Sequence, residues 1–143
     1  MGVASTVEVV DHTGLRVAQD PIANLVRAVL EAEGVAGNVV VAFVDEAAIT
    51  GLNARFRDVT EPTDVLSFCY ADGEGEVVVC PAVVRRYAEE DGADPGNRLA
   101  WTVLHGTLHL LGYDHERDRG EMRQRERELL EKLDPSVAAV SYP

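Results

Sequence analysis

Two cysteines, Cys69 and Cys80, are the only thiols in the 143 residues, too few for the disulfide framework of a small secreted domain. Both sit beside β-like runs and are expected to be buried and free. No apolar run approaches the roughly 20 residues that span a bilayer. The first ten residues carry no basic group ahead of an apolar stretch, so nothing there resembles a secretory signal. Lysine is nearly absent, because twelve of the thirteen basic residues are arginine. Acid outweighs base, and the formal net charge of −12 taken alone argues against a surface coated in nucleic acid, since phosphate affinity comes mainly from Lys and Arg, but it does not settle the substrate. A local basic patch stays open: Arg55 lies near Arg57, Arg85 beside Arg86, and five arginines fall between Arg117 and Arg127. The default expectation is therefore a soluble, cytoplasmic protein with no membrane partner.

What is present suits one ordinary domain over 1–143. Hydrophobic residues make up 46% of the chain, enough to close a core without staples. Val7 and Val9 begin a strand that ends at Asp11-His12-Thr13-Gly14. Asp20-Pro21 reads as a helix start with Pro at the first position, and Ile22, Leu25, Val26, Val29 and Leu30 keep helical spacing to Gly34. Asn38 to Val44 is a buried strand, and Asp45 caps a helix carrying Ile49 and Leu52. Asp64 to Tyr70 and Glu76 to Cys80 read as strands joined by the loop 71–75. Pro81 to Glu90 is a helix and Asp91 to Asn97 a Gly/Pro loop. Leu99 to Leu111 is the most apolar helix, stopped by Gly112. Arg119 to Leu133 is a polar helix with Met122, Leu129, Leu130 and Leu133 available for packing. The expectation is an α+β fold: a small, roughly four-stranded mixed sheet packed with several helices.

Chemistry concentrates in His105-Gly106-Thr107-Leu108-His109-Leu110-Leu111-Gly112-Tyr113-Asp114-His115. His105 and His109 are four apart, so a helix projects both imidazoles from one face. Gly112 can end the helix in a left-handed conformation, and a chain that then reverses can bring His115 back as a third ligand. Three neutral imidazoles leave a fourth position open, which is the layout of a catalytic zinc site. Three of the four histidines fall within this one segment, which favours a shared ion over scattered surface residues. The string matches the metzincin protease pattern H-E-x-x-H-x-x-G-x-x-H except that Gly106 replaces the glutamate base. Proteolysis is therefore disfavoured.

H-G-x-L-H-L-L-G-Y-D-H from His105 to His115 resembles the hallmark of the YbeY family of bacterial endoribonucleases and rRNA maturation factors. Leu52-Asn53, Arg57 and Pro62-Thr63-Asp64-Val65-Leu66-Ser67-Phe68 are similar to the family's L-N-x-x-x-R and P-T-D-V-L-S-F blocks. Gly75 to Cys80 is a weaker third match, and the resemblance runs from about Val39 to Met122. It departs at Cys69, where the family usually has Pro, at Glu76 for Asp, and at Arg98 where an acidic residue is common.

The resemblance implies one zinc ion on His105, His109 and His115, single-stranded RNA as substrate, and work on ribosomal RNA ends and small-subunit quality control. Its ribosomal partners would be the small subunit and assembly factors. The family's essential arginine maps onto Arg57, whose guanidinium fork suits a backbone phosphate. Arg57 and His105 are thus the expected catalytic residues. No general base is evident. Asp114 either orients an imidazole or forms a turn, while Thr63, Asp64 and Ser67 either line the cleft or shape the strand entry. Met122 is expected in the core, and the arginine-rich helix, with Glu126 among its acids, on a solvated ion-paired face. A peptidase-like metallohydrolase and a non-catalytic ribosome-assembly factor are the alternatives.

Overall fold

A computed structural model describes residues 5–113, 119–132, 140 and 142–143. The strands are β1 (Thr6–Asp11), β2 (Asn38–Phe43), β3 (Val65–Ala71) and β4 (Glu74–Val79). The helices are α1 (Gln19–Ala32), α2 (Glu46–Arg57), α3 (Pro81–Asp91), α4 (Pro95–Leu110) and α5 (Glu121–Lys132). The strands form one mixed sheet in the order β1-β2-β4-β3. β1 and β4 flank β2 in parallel, and β3 pairs antiparallel with β4 as an edge strand. The expected α+β fold with a four-stranded mixed sheet is what forms.

Alternation along the strands divides the core between two sheet faces. Val39, Val41, Phe43, Val77 and Val79 pack with Ile22, Leu25, Val26 and Leu30 of α1 and Leu99 and Val103 of α4. Leu66 and Val78 point the other way, into a cluster with Val44, Ile49 and Val83. A third cluster joins Val29, Leu104, Leu108, Met122 and Leu129, binding α4 to α1 and α5. Helix α4 is therefore held from both sides, by the sheet and by two helices. Met122 lies in the core as its spacing predicts, whereas Leu130 is 38% exposed and Leu133 falls outside the described residues.

Several boundaries differ from the sequence reading. Helix α1 starts at Gln19 after Ala18, which offers no side-chain cap, so Pro21 is the third helical residue. A missing N–H costs nothing there because the first-turn donors have no helical partner anyway. Helix α4 begins at Pro95, inside the expected loop, because the Asp94 carboxylate accepts from the Asn97 N–H at 3.0 Å. Strand β4 begins at Glu74, two residues early, since the turn needs only Asp72 and Gly73. Cys80 is buried but Cys69 is exposed, lying on the edge strand just before a register shift.

Candidate metal centre

Helix α4 approaches the sheet closely because position 106 has no side chain. A Cβ there would meet Val77 Cγ1 at 2.7 Å and Val65 Cγ2 at 2.8 Å, well inside van der Waals contact. The Ser67 hydroxyl donates to the Gly106 carbonyl at 2.7 Å, tying β3 to the same turn. Any side chain at this position, a glutamate included, would have to displace Val65 and Val77. The departure from the protease string thus has a packing cause as well as a chemical effect.

His105 and His109 flank that contact, and their Nε2 atoms are 3.1 Å apart. Each Nδ1 faces an acceptor. His105 Nδ1 is 2.5 Å from Glu126 Oε1, and His109 Nδ1 is 2.7 Å from the Tyr113 carbonyl oxygen. Neutral imidazoles donating from Nδ1 turn their Nε2 lone pairs toward each other, and a cation between them relieves the repulsion. Two nitrogens on a tetrahedral zinc at about 2.0–2.1 Å lie about 3.3 Å apart, close to the separation here. The two imidazoles can thus serve as two of the ligands of a zinc ion. Among the described residues no third His, Cys, Asp or Glu completes a metal-binding group, and Asp114 and His115 lie outside the described residues.

The helix end positions the His109 partner. Gly112 adopts φ +105°, its N–H bonds to the His109 carbonyl at 3.0 Å, and the Tyr113 N–H bonds to the Leu108 carbonyl at 3.1 Å. These two bonds define a Schellman cap, and they turn the Tyr113 carbonyl back onto His109. Burial raises the Tyr113 hydroxyl pKa, and its hydrogen bond to Glu33 raises it further.

On the other side, Glu126 accepts from Trp101 Nε1 at 3.0 Å through its second oxygen. The Trp101 indole stacks on His105 at 4.7 Å and 25°, while the Arg98 guanidinium lies over the same indole at 4.7 Å. Glu126 is only 6% exposed, contrary to the solvated face expected for its helix. The rest of that face includes ion pairs, such as Arg125 with Glu33 and Glu128.

A cleft of about 520 Å³ opens beside His105, lined by Asp64, Trp101, Gly120, Met122, Arg123 and Glu126. Asp64 lies at the end of the link before β3, which the Asn53 amide ties by donating to the Glu61 carbonyl at 2.9 Å. Thr63 donates to Asp64 at 3.4 Å. Arg57 ends α2 on the exposed surface and is not among the lining residues, whereas Arg123 is. Trp101, Arg123 and Glu126 are site residues that the sequence reading missed. Trp101 stands four before His105, so helical spacing already placed it in the histidine stripe. Glu126 falls between Met122 and Leu129 on an apolar face, where a carboxylate requires a partner.

Fold and cleft define a class: a four-stranded α+β domain with an imidazole pair beside a cleft. Residues 8–134 match the family model described as Endoribonuclease YbeY. A relative of that name from Koribacter versatilis (strain Ellin345) is 45% identical over 105 residues, covering 72% of this chain and 69% of that protein. One from Mycobacterium sp. (strain KMS) is 32% identical over 146 residues, covering 89% and 82%. The solution structure of TM1509 from Thermotoga maritima aligns with a TM-score of 0.64 at 31% identity, over 92% of this chain and 89% of that one. The chain belongs to the YbeY endoribonuclease family.

Proposed function

We propose that this protein is a zinc-dependent endoribonuclease that cuts single-stranded RNA, acting in the cytoplasm on ribosomal RNA ends and in small-subunit quality control. Small ribosomal subunits and their assembly factors are its proposed partners. The observation that carries the reading is the imidazole pair, with Nε2 atoms 3.1 Å apart and both Nδ1 atoms held by acceptors, in a member of an endoribonuclease family. His115 is the proposed third ligand.

A bound zinc ion supplies Lewis acidity and activates water near neutral pH. The protein's own groups do the rest. A backbone phosphate carries negative charge that grows on its oxygens during attack, so a guanidinium stabilises the transition state more than the ground state. Arg57 is proposed for that role, and Arg123 is a cation that lines the cleft among the described residues. Met122, buried and lining the same cleft, and the Trp101 indole add apolar surface beside these charges, and ion pairing there is stronger than in open water. Gly106 counts against a peptidase, since it supplies no carboxylate where the protease glutamate acts and any side chain there would crowd Val65 and Val77.

The test is chelation and reconstitution. Zinc-free protein is expected to leave a labelled single-stranded RNA intact, and stoichiometric zinc to restore cleavage, with a duplex of the same sequence cut more slowly. Peptide hydrolysis without RNA cleavage would replace this reading with the peptidase one. Ribosomal-subunit binding without turnover would favour the assembly factor.

A further inference from the structure

We propose that Glu126 and Trp101 are positioning residues that lock His105 in its metal-binding tautomer, and that Glu126 is not the missing general base. The inference rests on the metal reading above.

The argument starts from donor and acceptor inventories. An indole N–H only donates, and a carboxylate only accepts. Trp101 Nε1 occupies Oε2 of Glu126 at 3.0 Å, leaving Oε1 to face His105 Nδ1 at 2.5 Å. His105 must then carry a proton on Nδ1, so in the neutral ring Nε2 is the nitrogen whose lone pair points at His109. His109 receives the same instruction from the Tyr113 carbonyl, another group that only accepts. Two unrelated acceptors thus impose one tautomer on both rings. Carboxylates that hold ligating histidines in this way tune metal affinity.

The geometry also removes Glu126 as a base. It meets the imidazole at Nδ1, the edge turned away from His109, so the ring itself separates the carboxylate from the point where the Nε2 atoms converge. Both of its oxygens are engaged, and only 8% of its side chain is exposed. The stack of His105 on Trp101 fixes the ring plane, so the indole acts twice, once on the ring and once on the carboxylate.

A glutamine at 126 is nearly isosteric but has one accepting end and one donating end. Facing two N–H donors, it satisfies one and opposes the other. Glu126→Gln is therefore expected to weaken zinc binding by about tenfold or more. Removing the second donor should undo this: in Trp101→Phe/Glu126→Gln the amide oxygen turns to His105 without opposition. The double variant should bind zinc more tightly than Glu126→Gln alone, to within about threefold of Trp101→Phe.

Zinc affinity is measured by chelator competition, and the tautomer by long-range proton–nitrogen NMR of the metal-free protein. Wild-type His105 is expected to show protonated Nδ1 and bare Nε2, with Nε2–H rising in Glu126→Gln. A wild-type His105 protonated at Nε2 alone overturns the proposal, whatever the variants do. So does unchanged zinc affinity in Glu126→Gln, or a double variant as weak as that single one. A wild type that binds no zinc overturns the metal reading instead, and the NMR tautomer then still decides the positioning claim.

Discussion

Two helical glycines give the packing of the site an internal control. Gly106 in α4 is pressed on Val65 and Val77, whereas a Cβ on Gly51 in α2 meets nothing within 4 Å. Alanine at either position gains roughly 1 kcal/mol of helix propensity. At Gly51 that gain stands alone, so Gly51→Ala should raise unfolding free energy by up to about 1 kcal/mol. At Gly106 the new methyl reaches 2.7 and 2.8 Å from branched side chains, one of them, Val77, fully buried. Overpacking of this kind costs about 1–3 kcal/mol. Gly106→Ala is thus expected to be neutral to about 2 kcal/mol destabilising, and the difference between the two variants isolates the strain. Urea unfolding of metal-free protein measures both, free of any stabilisation by bound ligand. Equal stabilisation by the two substitutions would refute the close approach of α4 to the sheet and the steric explanation for the absent glutamate.

Asp94→Ala removes the cap of α4 and should cost about 1 kcal/mol in the same urea assay. Gly112→Ala forces a side chain into φ +105° at about 1–3 kcal/mol; it should also weaken zinc binding, read by chelator competition, because the Tyr113 carbonyl leaves His109. Arg57→Lys keeps the charge but loses the planar fork, so RNA turnover should fall by about tenfold or more if Arg57 stabilises the transition state. Arg123→Lys makes the same comparison for the cleft arginine, and whichever variant loses turnover without losing fold identifies the clamp.

The parts of the site that were legible in the sequence are those fixed by local spacing. His105 and His109 share a face because a helix turns every 3.6 residues, and Gly112 signals the cap that follows. The Asp-Pro start was legible as chemistry but misplaced along the chain. Spacing places it at Asp20-Pro21, where the helix has already begun, whereas it is realised at Asp94-Pro95. The two dipeptides look alike in the sequence, but only the Asp94 carboxylate caps its helix. Glu126 was read as one more acid on a solvated face, because its contact with His105 spans 21 residues of chain and no short window contains both. Its place between Met122 and Leu129 was the available clue. The steric role of Gly106 was equally hidden, since it depends on strands β3 and β4 arriving from elsewhere in the chain. The α+β architecture was legible, while the order β1-β2-β4-β3 was not, because alternation sets which face a residue takes but not which strand lies beside it.

The most direct test of the central claim is cleavage of a labelled single-stranded RNA by zinc-loaded wild type beside an identically purified His109→Ala variant. The account predicts cleavage by the wild type and loss of it in the variant, whose helix and fold remain. Equal cleavage by both proteins, or none by either, would contradict the assignment of the imidazole pair as the centre of a metal-dependent ribonuclease.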